Sequence, residues 1–353
     1  SWSGKEKVCI GLEGHGREDI NAAIDTSRTV GWFTSLYPLQ LTMPEVKSEA
    51  DLIKSVKEQL RQLPDKGLGY GVLKYICKES SLQGPEPWDI VFNYLGQLDN
   101  VVRESKWLSG AGESQGPGRS DEQVVQEKIS LNSFVRGGEL VLSWNYSSKH
   151  YNEGTIEALS ETYLSNLEKL IAHCIDQQTT GRAVYTPSDY GLGSEIRYEE
   201  LDRFLAAPYN GKERRESLAG LYRLSGLQEG MLFHSLYDQG QGAYIEQFGC
   251  DLFGVNLEIL NKSWAHLINR HSILRSAFYS DVFDVAVQCV YKEVVLPVTV
   301  LDYREIGAEE QTAAVKEFEA LDKMKGFDFT AAPLMRLGIL RLSEDRYRMV
   351  WTS

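Results

Sequence analysis

The sequence predicts an α/β protein with two lobes, each a mixed sheet flanked by helices, joined by a linker. Three observations lead to this prediction. The chain has 353 residues, which is enough for two hydrophobic cores. In both halves, short apolar runs typical of strands alternate with amphipathic stretches typical of helices. Residues 179–217 are polar and contain several glycines and prolines, which predicts an interdomain linker between units 1–178 and 218–353.

The elements of the first half follow in order along the chain. "KVCIGLEG" predicts a strand that runs into a glycine loop. "SEADLIKSVKEQLRQLP" predicts a helix that Ser48 caps and Pro64 ends. "WDIVFNYLGQL" and "ELVLSWNYS" predict two further strands, and the apolar stripe between Thr155 and Asp176 predicts a long helix.

The second half repeats this alternation after the predicted linker. Within the linker, "YEELDRFLA" predicts a short helix and "PYNGKERRES" a solvated tether. Beyond residue 218, the chain is expected to form three helices, several strands and a final hairpin. The three predicted helices are "SGLQEGMLFHSLYD", "NLEILNKSWAHLINRHSIL" and "EEQTAAVKEFEALDKM".

Charge and composition exclude several classes of protein. The net charge of −13 argues against a nucleic-acid partner, which would favour a basic face. No apolar run is long enough for a transmembrane helix, and the first residues do not resemble a signal peptide, so no membrane partner is expected. Five scattered cysteines without CxxC spacing argue against a disulfide framework or a metal site. A reducing, cytoplasmic location is therefore predicted.

The segment "EGHGRE" at 13–18 is the first candidate for chemistry. Glu13 and His15 carry groups suited to proton transfer near neutral pH. Gly14 and Gly16 permit close backbone approach or a positive φ. The alternative is a tight charged turn in which His15 is structural.

Two further sites are candidates by residue type. Asn93 and Tyr94 stand together in the apolar strand "FNYLGQLD", where they are either cavity-lining residues or a satisfied core pair. His271 and Arg275 have the i, i+4 spacing of one helix face. We favour a structural pair for these two, with Arg275 bound to a carboxylate elsewhere.

Several motifs occur together and in order. "LEGHGRE", "RTVGWFTSLYP", "LPDKGLGYGVLKY" and "FNYLGQLD" closely resemble the C-terminal half of an epimerization domain of a nonribosomal peptide synthetase. "LSGLQEGMLFHSLYD", "RHSILRSAF" and "FDFTAAPLMRL" resemble the N-terminal half of a condensation domain. The resemblance implies two chloramphenicol-acetyltransferase-like lobes. The HHxxxDG motif of both domain types does not occur in the sequence, so the chain is expected to join the second lobe of one domain to the first lobe of the next.

The resemblance also implies roles for individual residues. Glu13 matches the acid/base residue of the epimerization motif, and Asn93 and Tyr94 match residues that line the same cavity. Gly14, His15, Gly16 and Arg17 are assigned to the architecture of the loop. In the second half, His271 and Arg275 are assigned structural roles, with Arg275 expected to pair with the Asp of HHxxxDG.

The implied substrate is an aminoacyl or peptidyl thioester carried on the phosphopantetheine of a peptidyl carrier protein, with no cofactor bound directly. The implied reactions are inversion at Cα and then condensation with a downstream amine. Because the complementary lobes are missing, we expect the chain alone to be inactive and to expose large apolar faces. Two alternatives are a non-catalytic platform that docks carrier proteins and an acyltransferase with His15 as base, although "EGHGRE" lacks the HxxxD form of such enzymes.

Overall fold

A computed structural model of the chain describes residues 4–18, 20, 23–43, 48–99, 107, 113, 116, 120, 122, 124–181, 184–237 and 244–353. The fold divides into two compact units, Ser1–Val184 and Tyr185–Ser353. Each unit has sheets flanked by helices, so the predicted α/β class is confirmed. None of the helices among the described residues is both long and apolar enough to cross a membrane.

The first unit is built on a five-stranded mixed sheet with the strand order β2-β1-β3-β4-β5. β1 and β3 are parallel, as are β3 and β4, whereas the two outer pairs are antiparallel. The strands are β1 (Lys7–Gly14), β2 (Ser35–Thr42), β3 (Ile90–Gln97), β4 (Ile129–Arg136) and β5 (Glu139–Tyr146).

The described part of the unit has two long helices, which pack on one another. Helix α1 (Glu49–Arg61) begins after Ser48, whose hydroxyl accepts a hydrogen bond from the amide of Asp51, so the predicted cap is confirmed. In the long helix α2 (Glu153–Thr179), Tyr163 packs edge-on against Trp144 of β5. Trp144 pairs with the buried Leu131 of β4, so this face of the sheet is the apolar one.

The second unit contains two larger sheets, with the orders β10-β11-β8 and β12-β13-β14-β9, and a two-stranded hairpin, β6-β7. Its longer helices are α3 (Tyr198–Ala206), α4 (Gly226–Tyr237), α5 (Leu257–Arg270) and α6 (Ala308–Met324), and a single helical turn spans Arg214–Ser217. Its strands are β6 (Pro208–Tyr209), β7 (Lys212–Glu213), β8 (Leu218–Arg223), β9 (Gln247–Phe253), β10 (Ser276–Tyr279), β11 (Val287–Tyr291), β12 (Val298–Asp302), β13 (Arg336–Arg341) and β14 (Arg346–Thr352).

The structure differs from the predicted linker 179–217. The boundary between the units lies at Val184, and the residues from Tyr185 onward belong to the second unit. Helix α3 forms as predicted, but Leu201, Phe204 and Leu205 on it are buried in the same core as strands β8 and β11. Burial of this apolar face explains why the segment is part of a lobe and not a free connection.

The predicted tether 208–217 is likewise packed against the unit. The ring of Tyr209 stacks on that of Tyr291 with centroids 3.8 Å apart. The guanidinium of Arg214 lies 4.1 Å from the ring centroid of Phe204 and donates to its carbonyl at 2.7 Å. The polar composition of the segment does not show that Tyr209 and Arg214 each contact an aromatic side chain of the core.

Candidate functional site

Strand β1 places Glu13 at its carboxyl end, one residue before the glycine loop. β1 pairs with β3 in parallel register, with Leu12 opposite Phe92. Glu13 and Asn93 are the next residues along these two strands, so they extend from the same face of the sheet about 4.8 Å apart along the hydrogen-bonding direction. Both are partly exposed.

This face continues as a row of polar residues across the sheet. Asn93 pairs with Asn132 of β4, and Asn132 pairs with Ser143 of β5. We call Glu13, Asn93, Asn132 and Ser143 the polar row. It lies on the face opposite to the buried Leu131. Sequence reasoning missed Asn132, because only the pairing register brings it beside Asn93.

Tyr94 lies on the other face of the sheet. It follows Asn93 directly, so its side chain alternates to the side of Phe92 and Leu131. It is 54% exposed near the end of β3. The structure therefore brings together Glu13 and Asn93, but it does not bring Tyr94 to them.

A close packing contact supports β1 on the face of the polar row. A Cβ atom on Gly11 would lie only 2.7 Å from Nε1 of Trp88, so glycine is required for the indole to lie against the strand. Gly11 is two residues before Glu13 and shares its face. The Trp88 ring contacts that of Tyr70, with a centroid distance of 6.0 Å.

Behind Trp88 lies a buried charged cluster. The Lys74 ammonium is 2.9 Å from Oε1 of Glu86, and both side chains are less than 10% exposed. The hydroxyl groups of Tyr70 and Tyr75 donate to the same carboxylate at 2.5 and 2.8 Å. Burial alone would raise the pKa of Glu86, but these hydrogen bonds and Lys74 hold that pKa below its usual value. The cluster fixes the "GLGYGVLKY" segment.

The loop after Glu13 is organised by its own side chains. The Nδ1 atom of His15 accepts the amide hydrogen of Arg17 at 3.0 Å, so the proton of a neutral imidazole is on Nε2, 3.1 Å from Glu18. Glu18 also binds Lys66 at 2.6 Å. Gly16 has φ +66°, and a Cβ there would lie 1.6 Å from a backbone oxygen.

Arg17 closes the same loop. It donates to the carbonyl oxygens of Thr26 and Gly31 at 2.6 and 3.1 Å, and its guanidinium lies 4.1 Å from the ring centroid of Phe33. A Cβ on Gly14 would lie 3.2 Å from the hydroxyl of Ser35. These contacts are all within the loop and its neighbouring strand.

In the second unit, the helical pairing predicted for His271 and Arg275 is wrong. Helix α5 ends at Arg270, His271 is its exposed C-terminal cap residue, and a separate 3₁₀ turn carries Arg275. Arg275 donates to the carbonyls of Ile268, Asn269 and Tyr291 at 2.5, 2.6 and 2.8 Å. Among the described residues its partners are carbonyls of a helix end and a strand, not the predicted carboxylate.

The second unit also has a half-open cavity of about 680 Å³ that the sequence did not predict. Met231 and Ser235 of α4 line one side of it, and residues 324–330, from the end of α6 onward, line another. Asp281 and Ser353 belong to its polar lining. A mixed cavity of this size can hold a small organic group with one or two polar atoms.

Comparison with known proteins identifies the family to which the chain belongs. A family profile described as "Condensation domain" matches residues 1–187 and 219–353. Over 99% of its length the chain is 40% identical to a protein of the linear gramicidin synthase of Brevibacillus parabrevis, and 35% identical to bacitracin synthase 1 of Bacillus licheniformis. It spans only 4% and 6% of these two relatives.

Among solved structures, the epimerization domain from the third module of tyrocidine synthetase B is similar at 35% identity and a TM-score of 0.45. The match covers 50% of this chain and 40% of that one. Because the family profile accounts for most residues of both units, the chain belongs to the condensation domain family of the nonribosomal peptide synthetases.

Proposed function

We propose that the first unit contributes half of an epimerization site, with Glu13 as an acid/base residue. The observation that carries this proposal is the position of Glu13 beside Asn93 on a partly exposed polar face at the carboxyl end of β1. The substrate is an aminoacyl or peptidyl residue held as a thioester on the phosphopantetheine of a carrier protein. The thioester acidifies the Cα–H bond that has to break.

Glu13 removes the proton from Cα and the electron pair moves onto the thioester oxygen. The amide hydrogens of Asn93 extend from the adjacent strand and stabilise that enolate by hydrogen bonding. Return of a proton to the same face regenerates the starting configuration, and inversion needs a second donor on the opposite face. Tyr94 extends from the other side of the sheet, so it makes no contact with the reacting carbon.

The second donor is the His of an HHxxxDG motif, which the 353 residues do not contain. We therefore propose that the chain alone inverts no substrate and that it works within a longer synthetase. The second unit then contributes to condensation of the epimerized donor with a downstream amine. Its cavity, lined by α4 and residues 324–330, is a candidate pocket for that donor residue.

A second candidate function is a platform that docks carrier proteins without catalysis. The observation that favours it is the exposure of large apolar side chains, namely Tyr75 and Ile76 in the first unit and Phe233 and Tyr237 in the second. The acyltransferase alternative has less support, because both ring nitrogens of His15 already contact the loop through Arg17 and Glu18.

The test uses an extended protein, in which a lobe that contains the HHxxxDG motif precedes Ser1 of this chain. An aminoacyl carrier protein with deuterium at Cα is incubated with it, and loss of the label and the D/L ratio are followed. The extended protein should invert the residue, and the 353-residue chain should not.

Glu13→Gln in the extended protein should slow loss of the label by about 100- to 10,000-fold. Glu139→Gln, a change at an exposed position of β5, is the matched control. Carrier binding without loss of label in the extended protein would support the platform instead.

A further inference from the structure

The pair Asn93 and Asn132 is unusual for the middle of a sheet. The two residues face each other in register on the parallel strands β3 and β4. Asparagine is depleted in strands because its side chain packs poorly on a pleated, half-buried surface. Two of them side by side on central strands therefore contribute little to the stability of this sheet.

Both carboxamides retain hydrogen-bonding capacity. Within the described part of the chain, the side chain of Asn93 makes no hydrogen bond. Among the same described residues, the amide nitrogen of Asn132 reaches only the hydroxyl of Ser130, at a long 3.4 Å. Each side chain thus presents a donor and an acceptor on the partly exposed face, and Asn132 lies about 10 Å from Glu13 along the polar row, at two strand spacings.

We propose that Asn132 is a substrate-binding residue that holds a secondary amide of the carrier-bound substrate. This inference rests on the proposed function of Glu13. A carboxamide complements a secondary amide, since each has one acceptor oxygen and at least one N–H donor. In this arrangement the reacting carbon lies at Glu13 and the enolate oxygen lies at Asn93. Asn132 is the next residue of the polar row, so it lies beside the group of the substrate that comes next in covalent order.

Such an amide occurs on both sides of the reacting carbon. On the thioester side, two methylenes separate the sulfur from the first amide of the phosphopantetheine arm. On the nitrogen side, a peptidyl substrate has the peptide bond to its preceding residue, whereas an aminoacyl substrate has a free amine. Both sources present the same amide group to Asn132. The three substrates described below distinguish the two sources.

The experiment measures loss of α-deuterium by the extended protein with Asn132→Ala and with the near-isosteric Asn132→Asp. Asn145→Ala is the control, since Asn145 lies exposed on β5 outside the polar row. Three substrates are compared: an aminoacyl carrier protein, a peptidyl carrier protein, and an aminoacyl carrier protein whose first arm amide is replaced by an ester. We expect both Asn132 variants to raise KM about 3- to 10-fold, the loss of one hydrogen bond, with kcat less affected.

If the arm amide is the partner, the effect of Asn132→Ala becomes smaller with the ester substrate, which keeps the carbonyl acceptor but lacks the N–H donor. If the peptide amide is the partner, the effect appears only with the peptidyl substrate. An equal effect of Asn132→Ala with all three substrates indicates a structural role and overturns the inference. A KM equal to that of Asn145→Ala overturns it as well. Loss of α-deuterium by the unsubstituted extended protein shows separately that the proposed function holds, so the failure of Asn132 alone is distinguishable from the failure of both.

Discussion

Phe204→Ala is expected to destabilise the second unit strongly, although residue 204 lies in a segment that composition predicts to be a linker. Phe204 is 4% exposed. Its ring packs edge-on against Tyr279 and Phe283, with both centroid distances at 5.1 Å, and under the guanidinium of Arg214. Truncation of a buried Phe to Ala costs about 3–5 kcal/mol, and the two aromatic pairs place this position in the upper half of that range.

The assay is urea unfolding of residues 185–353 alone, because two units in one chain would not unfold in a single transition. Since small domains have about 5–15 kcal/mol of stability, the variant should unfold at a much lower urea concentration. Phe233→Ala on α4 is the matched control: Phe233 is 62% exposed, and its loss should change the free energy of unfolding by about 0.5 kcal/mol or less. Equal effects of the two variants would refute the assignment of α3 to the core.

Three further results are expected. The pKa of Glu86 is lowered in the folded state. Its contribution to the free energy of unfolding is therefore present above its unfolded pKa and is lost as the pH falls through the lower folded pKa. The first unit should thus lose stability in acid. Glu86→Gln should remove that pH dependence and cost about 3–5 kcal/mol by leaving Lys74 buried without its carboxylate; an unchanged acid transition by circular dichroism would contradict this. Gly16→Ala should slow α-deuterium loss in the extended protein, because the new Cβ cannot fit at φ +66°; unchanged kinetics would refute the need for glycine there. Burial raises the pKa of Cys289 to about 12, so in the native protein at pH 8 a thiol reagent should modify the exposed Cys77 and leave Cys289 unmodified. Mass spectrometry of the labelled peptides measures this, and modification of Cys289 before Cys77 would contradict it.

The strand that contains Asn93 and Tyr94 illustrates what sequence can and cannot predict. Alternation along "FNYLGQLD" shows that the two side chains lie on opposite faces. Only the pairing of β1 with β3 shows which of them shares the face of Glu13. That register depends on contacts between segments about eighty residues apart, and no local pattern contains it.

The errors at His271 and in the linker have different physical causes. Apolar spacing continues through "NRHSIL", so periodicity extends the helix past Arg270, where the backbone in fact leaves the helical region at His271. In the linker, the amphipathic face of "YEELDRFLA" is visible in the sequence. The partner that buries it is formed by strands β8 and β11 and is not visible there.

Because α3 packs into the second unit, we expect chimeras made with this chain to depend on where the two sequences are joined. A crossover at Leu218 would pair β8 and β11 with a foreign α3, and Leu201, Phe204 and Leu205 would have to match a core they did not evolve with. A crossover between Val184 and Tyr185 transfers α3, the β6–β7 hairpin and that core as one piece. We expect a chimera joined at the earlier position to keep this core intact, whereas one joined at Leu218 has to pack a foreign α3 against it.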